Sequence, residues 1–136
     1  MTQTFTLWML VIGRCGLASL FMLGALNKSV AYAETATRMD SVGLSPAFIL
    51  LPLTILLEGI GGLLLASGTR FAPYGGLALA VFTLATNWYF HRFWEVEATL
   101  APLERSLFFK NIAVTGALLF VTASLFRDQA MQKIGG

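Results

Sequence analysis

Four apolar runs dominate the chain, and each is long enough for one helix to cross a lipid bilayer. The runs cover residues 7–26, 46–67, 71–90 and 110–126. A spanning helix takes about 20 apolar residues because the hydrocarbon core is about 30 Å thick. Backbone polar groups in hydrocarbon must be bonded within their own segment, which favours a helix in each run. The pattern therefore predicts an all-α membrane protein, an antiparallel four-transmembrane-helix bundle that forms a single domain over residues 1–136.

The segments between the runs predict how the helices connect. Residues 68–70 leave room only for a reversal of the chain, so the second and third helices must be neighbours. The two longer connections each favour a short helix at the membrane surface, at 30–39 and at 100–109. At the start of the second run, Ser45 is expected to cap the helix and Pro46 to occupy its first position.

Composition excludes several classes of protein. Hydrophobic residues make up 57% of the chain and charged residues 12%, whereas soluble domains have about 45–50% and about 25%. The formal net charge of +2 comes from scattered Lys and Arg with no basic patch, which excludes nucleic acid as a partner. Cys15 is the single cysteine, so an internal disulfide, a CxxC redox pair and a thiolate metal site are excluded.

The first run has one feature of a signal peptide. The sequence Ala31-Tyr32-Ala33, which follows the run, has the small-x-small pattern of a cleavage site. However, Lys28 intervenes after the apolar run, and no Lys or Arg precedes Arg14. We therefore expect this segment to remain in the protein as its first membrane helix.

The distribution of positive charge gives an expected orientation. The surface with both termini carries Arg70, Arg127 and Lys133, and the opposite surface carries Lys28, Arg38, Arg92, Arg105 and Lys110. Because positive residues are enriched in cytoplasmic segments, both termini are expected outside the cytoplasm.

Arg14 and Glu58 are charged residues deep inside the first and second runs. Ionisable groups are costly to bury in a membrane and often functional. Counted at 1.5 Å per residue, they lie ~12 Å and ~15 Å from the same surface, and so at similar depth. We therefore predict an intramembrane ion pair between them. Its simplest role is structural, joining the first helix to the second, and proton transfer or substrate binding is the alternative.

A second group of polar residues lies near the opposite surface, where the ends of three helices converge. It comprises Lys28, Asn87, His91, Trp94, Lys110 and Asn111. Cations and amides around an apolar pocket are typical of a site for a quinone head group or a small anion. The alternative is that the lysines only extend to the lipid headgroups and the aromatic residues form an interfacial belt. One histidine without a cysteine cluster predicts no metal site and no redox cofactor intrinsic to the chain.

Short motifs follow one another along nearly the whole chain. They are Gly13-Arg14, Gly24 to Lys28, Ser41-Val42-Gly43, Glu58-Gly59 with Gly61-Gly62, Gly68-Thr69-Arg70, His91 with Trp94, and Lys110-Asn111 before Gly116. In the order and spacing of these motifs the chain resembles the DoxX family, and within it the YphA-like branch of bacterial inner-membrane proteins.

The resemblance implies a multi-pass protein of the bacterial inner membrane, in which Arg70 also lies at a position that the family's motifs occupy. Related DoxD-type proteins are subunits of thiosulfate:quinone oxidoreductase, and other members are linked to thiol or oxidative-stress complexes. The expected function is therefore that of a subunit or partner of a membrane-associated redox system. Because it lacks cysteine pairs and metal clusters, the chain is expected to be at most a non-catalytic or quinone-binding subunit of an oxidoreductase.

Two other functions remain open. One is a small proton-coupled transporter, since such families also use four helices with one buried glutamate. A guanidinium beside Glu58 would hold the carboxylate ionised, which argues against proton exchange. The other is a scaffold or assembly protein with no small ligand. The expected partners are the lipid bilayer, a redox protein and a second copy of the chain.

Overall fold

The computed structural model describes residues 2–134, and nearly all of them lie in helices. The helices are α1 (Thr2–Val30), α2 (Tyr32–Ser41), α3 (Ala47–Ser67), α4 (Ala72–Phe90) and α5 (Ala101–Ile134). Four of the five are long, and the short α2 follows α1 after a single residue. The all-α class is confirmed.

The long helices pack side by side in the order in which they occur along the chain. α1 packs along α3, α3 along α4, and α4 along α5, whereas α1 and α5 make few contacts with each other. The turn between α3 and α4 occupies only residues 68–71, so these helices are antiparallel neighbours, as predicted. α4 and α5 are antiparallel as well, since Tyr74 contacts Phe126 near one end of the pair and Asn87 contacts Asn111 near the other.

Apolar side chains from all four long helices fill the centre of the molecule. The buried members of this cluster are Ala18, Phe21, Leu65, Leu79, Ala80 and Leu118. A smaller cluster, in which Met39 of α2 packs near Leu51 of α3, fixes α2 to one end of the molecule. The two clusters hold the helices around the polar residues described below.

Burial in this protein is distributed as expected for a protein surrounded by lipid. The buried polar side chains are Glu58, Thr83, Asn87, Thr115 and Thr122. Large apolar side chains instead face outward, among them Phe5, Trp8 and Phe120, which are between 62% and 70% exposed. An apolar exterior of this extent is costly in water and favourable in hydrocarbon.

Three helices, α1, α3 and α5, are long and apolar enough to cross a membrane. α4 contains the adjacent glycines Gly75 and Gly76 and buries polar residues such as Asn87. Its glycines permit a close approach to α3, because a Cβ atom on Gly75 would lie only 2.9 Å from the carbonyl oxygen of Gly61. Small residues at such contacts are typical of helix packing in membranes.

The two connections with expected surface helices differ from each other. The helix expected at 30–39 is present as α2. The helix expected at 100–109 is not a separate element, because residues 101–109 form the first turns of α5. Neither Gly nor Pro interrupts the chain between Leu103 and Thr115, so the helix continues into the apolar run.

The start of α3 also differs from the prediction. Pro46 occupies the N-cap position, and α3 begins at Ala47. The capping oxygen comes from Asp40 rather than Ser45, since the backbone N–H of Ala47 donates to Oδ1 of Asp40 at 3.1 Å. The carboxylate thereby satisfies one of the free N–H groups at the start of the helix.

Candidate ligand-binding site

Lys28 and Glu58 form an ion pair inside the protein. The Lys28 ammonium lies 2.8 Å from Oε2 and 3.0 Å from Oε1 of Glu58, so it donates to both carboxylate oxygens. The Glu58 side chain is 7% exposed and the Lys28 side chain 29%. A carboxylate this deeply buried depends on its partner, because removal of the cation leaves an uncompensated charge.

The absence of a side chain at Gly24 brings the two charges together. The register of α1 against α3 sets Gly24 opposite Glu58, and a Cβ atom on Gly24 would lie 3.2 Å from Oε1 of the carboxylate. Helical side chains lean toward the N-terminus of their helix, so Lys28, one turn after Gly24, extends back over it. The Lys28 ammonium lies 3.5 Å from the carbonyl oxygen of Gly24. The Lys28 ammonium, on a residue near the end of α1, therefore reaches the Glu58 carboxylate in the middle of α3.

The predicted ion pair between Arg14 and Glu58 is not formed. The antiparallel register of α1 and α3 sets Arg14 beside Gly68, where a Cβ atom would lie 2.5 Å from a terminal guanidinium nitrogen. Gly68 and Glu58 are ten residues apart, which is ~15 Å along the helix axis. Arg14 therefore lies at the C-terminus of α3, where the helix dipole favours a cation. Its buried Nε has no hydrogen-bond partner among residues 2–134.

The larger of two cavities at the ion pair lies beside α2 and is called the α2 cavity. Its volume is about 470 Å³, and residues of α1, α2, α3 and α4 line it. Glu34, Arg38 and His91 contribute polar groups, and Met39 and Phe90 contribute apolar surface. Because these residues lie where α1 and α4 end, the α2 cavity occupies the corresponding end of the protein.

The smaller cavity lies deeper between α1 and α5 and is called the α5 cavity. Its volume is about 220 Å³, and all four long helices line it. Leu20, Phe21 and Val114 form its apolar part, and Lys110 and Asn111 add polar groups. The residues that line both cavities are Gly24, Lys28, Glu58, Phe82 and Thr86. The ion pair is thus part of a wall that the two cavities share.

Asn87 joins α4 to α5 beside the α5 cavity. The Asn111 side-chain amide donates to Oδ1 of Asn87 at 3.1 Å, and the Asn87 amide donates to the carbonyl oxygen of Phe108 at 3.2 Å. Asn87 is only 2% exposed and does not line either cavity. Its role in the structure is to position Asn111, which does line the α5 cavity.

His91 lines the α2 cavity and is held by Glu104 of α5. Its Nδ1 lies 2.7 Å from Oε2 of Glu104, and the two side chains are 18% and 19% exposed. An N–H on Nδ1 that donates to the carboxylate leaves Nε2 as the ring nitrogen that a ligand can use. Among residues 2–134, no three His, Cys, Asp or Glu side chains form a group that could hold a metal ion.

Trp94 and Arg70 lie away from both cavities. Trp94 follows the end of α4, is 47% exposed, and packs against Trp88 and Phe93 with ring centroids 5.4 Å and 5.0 Å apart. Its packing in this aromatic cluster explains why it does not join the other predicted site residues. Arg70 lies in the turn between α3 and α4, with its guanidinium 4.7 Å from the centroid of the Phe71 ring.

The charges around the two cavities nearly cancel. Glu58 neutralises Lys28 directly, and Glu34 and Arg38 add one charge of each sign to the α2 cavity. Lys110 adds one further positive charge to the α5 cavity. A free anion would have to bind beside the Glu58 carboxylate, which repels it. The lining therefore suits a neutral ring with hydrogen-bonding oxygens better than it suits a free anion.

Gly24 and Glu104 are parts of this site that the sequence pattern did not predict. Gly24 acts by having no side chain, and the signal for it is a small residue one turn before a lysine at the end of an apolar helix. Glu104 lies opposite His91 because α4 and α5 are antiparallel. In the sequence, Glu104 is marked only by being an acidic residue in the first turn of the helix that follows His91.

Comparison with protein families matches residues 9–92 of the chain to the family DoxX. This range contains Arg14, Lys28, Glu58 and His91 and ends before α5. The residues that α5 contributes to the cavities therefore lie outside the matched range. No curated protein and no solved structure matches the chain.

Proposed function

The chain belongs to the DoxX family and is an integral membrane protein, and we propose that it is a quinone-binding, non-catalytic subunit of a membrane-associated redox system. In this proposal α1, α3, α4 and α5 each cross the bacterial inner membrane, and the protein serves a redox partner that carries out electron transfer. The ligand is the head group of a quinone, held between the two cavities.

The ion pair in the wall between the cavities is the observation that carries this proposal. Lys28 presents an ammonium and Glu58 a carboxylate to the same space, so the pair can donate a hydrogen bond to one group and accept one from another. A quinone head group has carbonyl oxygens as acceptors, and its reduced form has hydroxyl donors. Phe82 supplies an apolar surface beside the pair for the ring itself.

The four-span arrangement is supported by the position of α4. This helix packs between α3 and α5, both of which are apolar enough to cross a membrane. Its 19 residues span ~28 Å, close to the hydrocarbon thickness of about 30 Å. Its polar side chains Thr83 and Asn87 are buried against the neighbouring helices rather than exposed to lipid.

We also propose the orientation expected from the sequence, with both termini in the periplasm, and membership of the YphA-like branch. Lys28 is left out of the charge count because its ammonium lies inside the protein against the buried Glu58 carboxylate. The residues Arg38, Arg92, Arg105 and Lys110 still outnumber Arg70, Arg127 and Lys133 on the opposite surface.

Binding of a benzoquinone to the protein in nanodiscs tests the proposed ligand. The double variant Lys28→Met/Glu58→Leu removes both polar groups without leaving a buried charge unpaired. We expect it to fold and to bind the quinone about ten- to a hundredfold more weakly, which corresponds to the loss of about 1.5–3 kcal/mol in hydrogen bonds to charged groups. His91→Gln should also weaken quinone binding, because it replaces the imidazole ring that lines the α2 cavity by an amide.

A matched control is the exposed ion pair Arg127 with Asp128, whose side chains are 71% and 47% exposed. The double variant Arg127→Met/Asp128→Leu makes the same kind of change away from both cavities and should bind the quinone like the wild type. Unchanged quinone affinity in a folded Lys28→Met/Glu58→Leu variant, or no binding to the wild-type protein, would rule out the proposed ligand.

A scaffold without a small ligand and a proton-coupled transporter make different predictions. A scaffold needs only that the helices pack, so the Lys28→Met/Glu58→Leu variant would keep its function along with its fold. A transporter needs Glu58 to exchange a proton, whereas Glu58 accepts two hydrogen bonds from an ammonium in this structure. Release of a proton when a substrate binds would favour the transporter over the quinone-binding subunit.

A further inference from the structure

We propose that the gap between α1 and α5 is a lateral opening to the lipid, and that it holds the apolar tail of the ligand whose head lies at Lys28 and Glu58. This inference rests on the proposed quinone-type head-group site and adds the route and the chemical class of the ligand. The ligand is then a membrane-dissolved amphiphile, with a polar ring joined to a long hydrocarbon chain.

The packing of the long helices leaves this opening in one place. α1 and α5 make far fewer contacts with each other than with α3 and α4, their main neighbours. The α5 cavity lies where α1 and α5 fail to close, with Leu20 and Val114 on its two sides. Leu20 is 49% exposed although it lines the cavity. The cavity is also open rather than enclosed by protein, which supports access from the lipid-facing exterior.

Polarity changes along the opening in the way that an amphiphile requires. At one end Lys28, Glu58 and Asn111 form the polar part of the α5 cavity, and at the other end Leu20 and Val114 form an apolar part. A head group at the ion pair would place a tail between the two apolar side chains. The tail would then continue into the lipid, so its apolar surface would stay out of water.

The α2 cavity provides a second approach to the same ion pair from the end of the protein. Its lining includes charged residues of α2, such as Glu34 and Arg38, which are unsuitable surfaces for a hydrocarbon tail. The two cavities therefore have different roles. The ion pair can be reached by polar groups through the α2 cavity and by a lipid-soluble ligand through the opening between α1 and α5.

Photocrosslinking of a tailed quinone tests this inference. The probe is a benzoquinone with a decyl tail that carries a diazirine near the ring, added to the full-length protein in nanodiscs. We expect tail adducts on α1 around Leu20 and on α5 around Val114, mapped by mass spectrometry. Leu20→Trp fills the opening and should lower the adduct yield on Val114 about tenfold, as expected when overpacking costs at least about 1.4 kcal/mol.

Leu23→Trp is the matched control, because Leu23 lies on the same helix, is 57% exposed and lines neither cavity. It should leave the adduct yield unchanged. Adducts on α2 instead, or equal yields from the two tryptophan variants, would overturn the lateral opening. A further contrary result would be crosslinks between α1 of one copy and α5 of another that exclude the probe. They would assign the gap to an interface between copies and would also overturn the lateral opening.

The same experiments distinguish failure of the proposed function from failure of the lateral opening. If the tail-less benzoquinone binds and the Lys28→Met/Glu58→Leu variant abolishes that binding, the head-group site stands whatever the tail adducts show. If the wild-type protein binds neither the tailed nor the tail-less ring, the proposed function itself is wrong.

Discussion

Replacement of Lys28 by methionine is expected to lower the free energy of unfolding by about 3–5 kcal/mol, the usual cost of removing one partner from a buried ion pair. The remaining Glu58 carboxylate, with a 7% exposed side chain, would be left without its cation. The double variant Lys28→Met/Glu58→Leu should recover most of this loss, since an apolar pair of similar size is often as stable as the ion pair it replaces. Unfolding in mixed micelles with increasing detergent denaturant measures these differences.

A second thermodynamic cycle serves as the control for this prediction. Arg14→Met and Glu58→Leu should have additive effects to within about 0.5 kcal/mol, because the two side chains lie at different depths and share no partner. Strong coupling of Arg14 with Glu58, together with additive effects of Lys28 and Glu58, would show that the ion pair in the structure is wrong.

Replacement of Gly75 by alanine is expected to destabilise the protein by about 1–3 kcal/mol, as is typical of overpacking at a tight contact. The new Cβ atom would lie 2.9 Å from both the Gly61 carbonyl oxygen and the Leu64 Cβ atom. The first is a backbone atom of α3 and the second is bonded directly to the α3 backbone, so neither can rotate out of the way. The whole of α4 must therefore move away from α3. The loss should appear in the same unfolding measurement.

Gly16→Ala is the matched control for Gly75→Ala, because nothing lies within 4 Å of a Cβ atom at Gly16. Alanine is the better helix former by about 1 kcal/mol, so this variant should be as stable as the wild type or more stable. Equal destabilisation by the two substitutions would mean that α3 and α4 do not approach as closely as described.

The helices could be predicted from the sequence because hydrocarbon leaves the backbone few alternatives. The apolar runs at 46–67 and 71–90 agree with α3 and α4 to within one residue. α1 and α5 are longer than their runs, since the polar residues beyond the runs continue the same helices into the membrane surface. Hydropathy detects the apolar part of such a helix but not its end.

The partner of Glu58 could not be predicted from depth alone. The prediction counts the depths of Arg14 and Glu58 from one common surface, but α1 begins at Thr2 and places Arg14 beside Gly68 at the end of α3. More importantly, depth says nothing about the side of the helix on which a residue lies. Lys28 follows the apolar run, which by itself indicates a position at the membrane surface, and its contact with Glu58 depends on the register of α1 against α3.

The candidate site was predicted in part because the ends of antiparallel helices necessarily converge. Lys28, His91, Lys110 and Asn111 do line the two cavities, as the convergence of helix ends suggested. Trp94 does not, because side-chain direction in a connecting loop depends on tertiary packing rather than on helical periodicity. Ligand binding by these residues stays a prediction until the quinone experiments are done.

Solid-state NMR of the protein in lipid bilayers gives the most direct test of the ion pair on which the proposed site depends. The measurement is the dipolar coupling between ¹⁵N at the Lys28 side-chain nitrogen and ¹³C at the Glu58 carboxylate carbon. A strong coupling is expected, because the ammonium nitrogen lies 2.8 Å and 3.0 Å from the two carboxylate oxygens. A coupling of the Glu58 carboxylate to the Arg14 guanidinium, with none to Lys28, would contradict the structure and the site built on it.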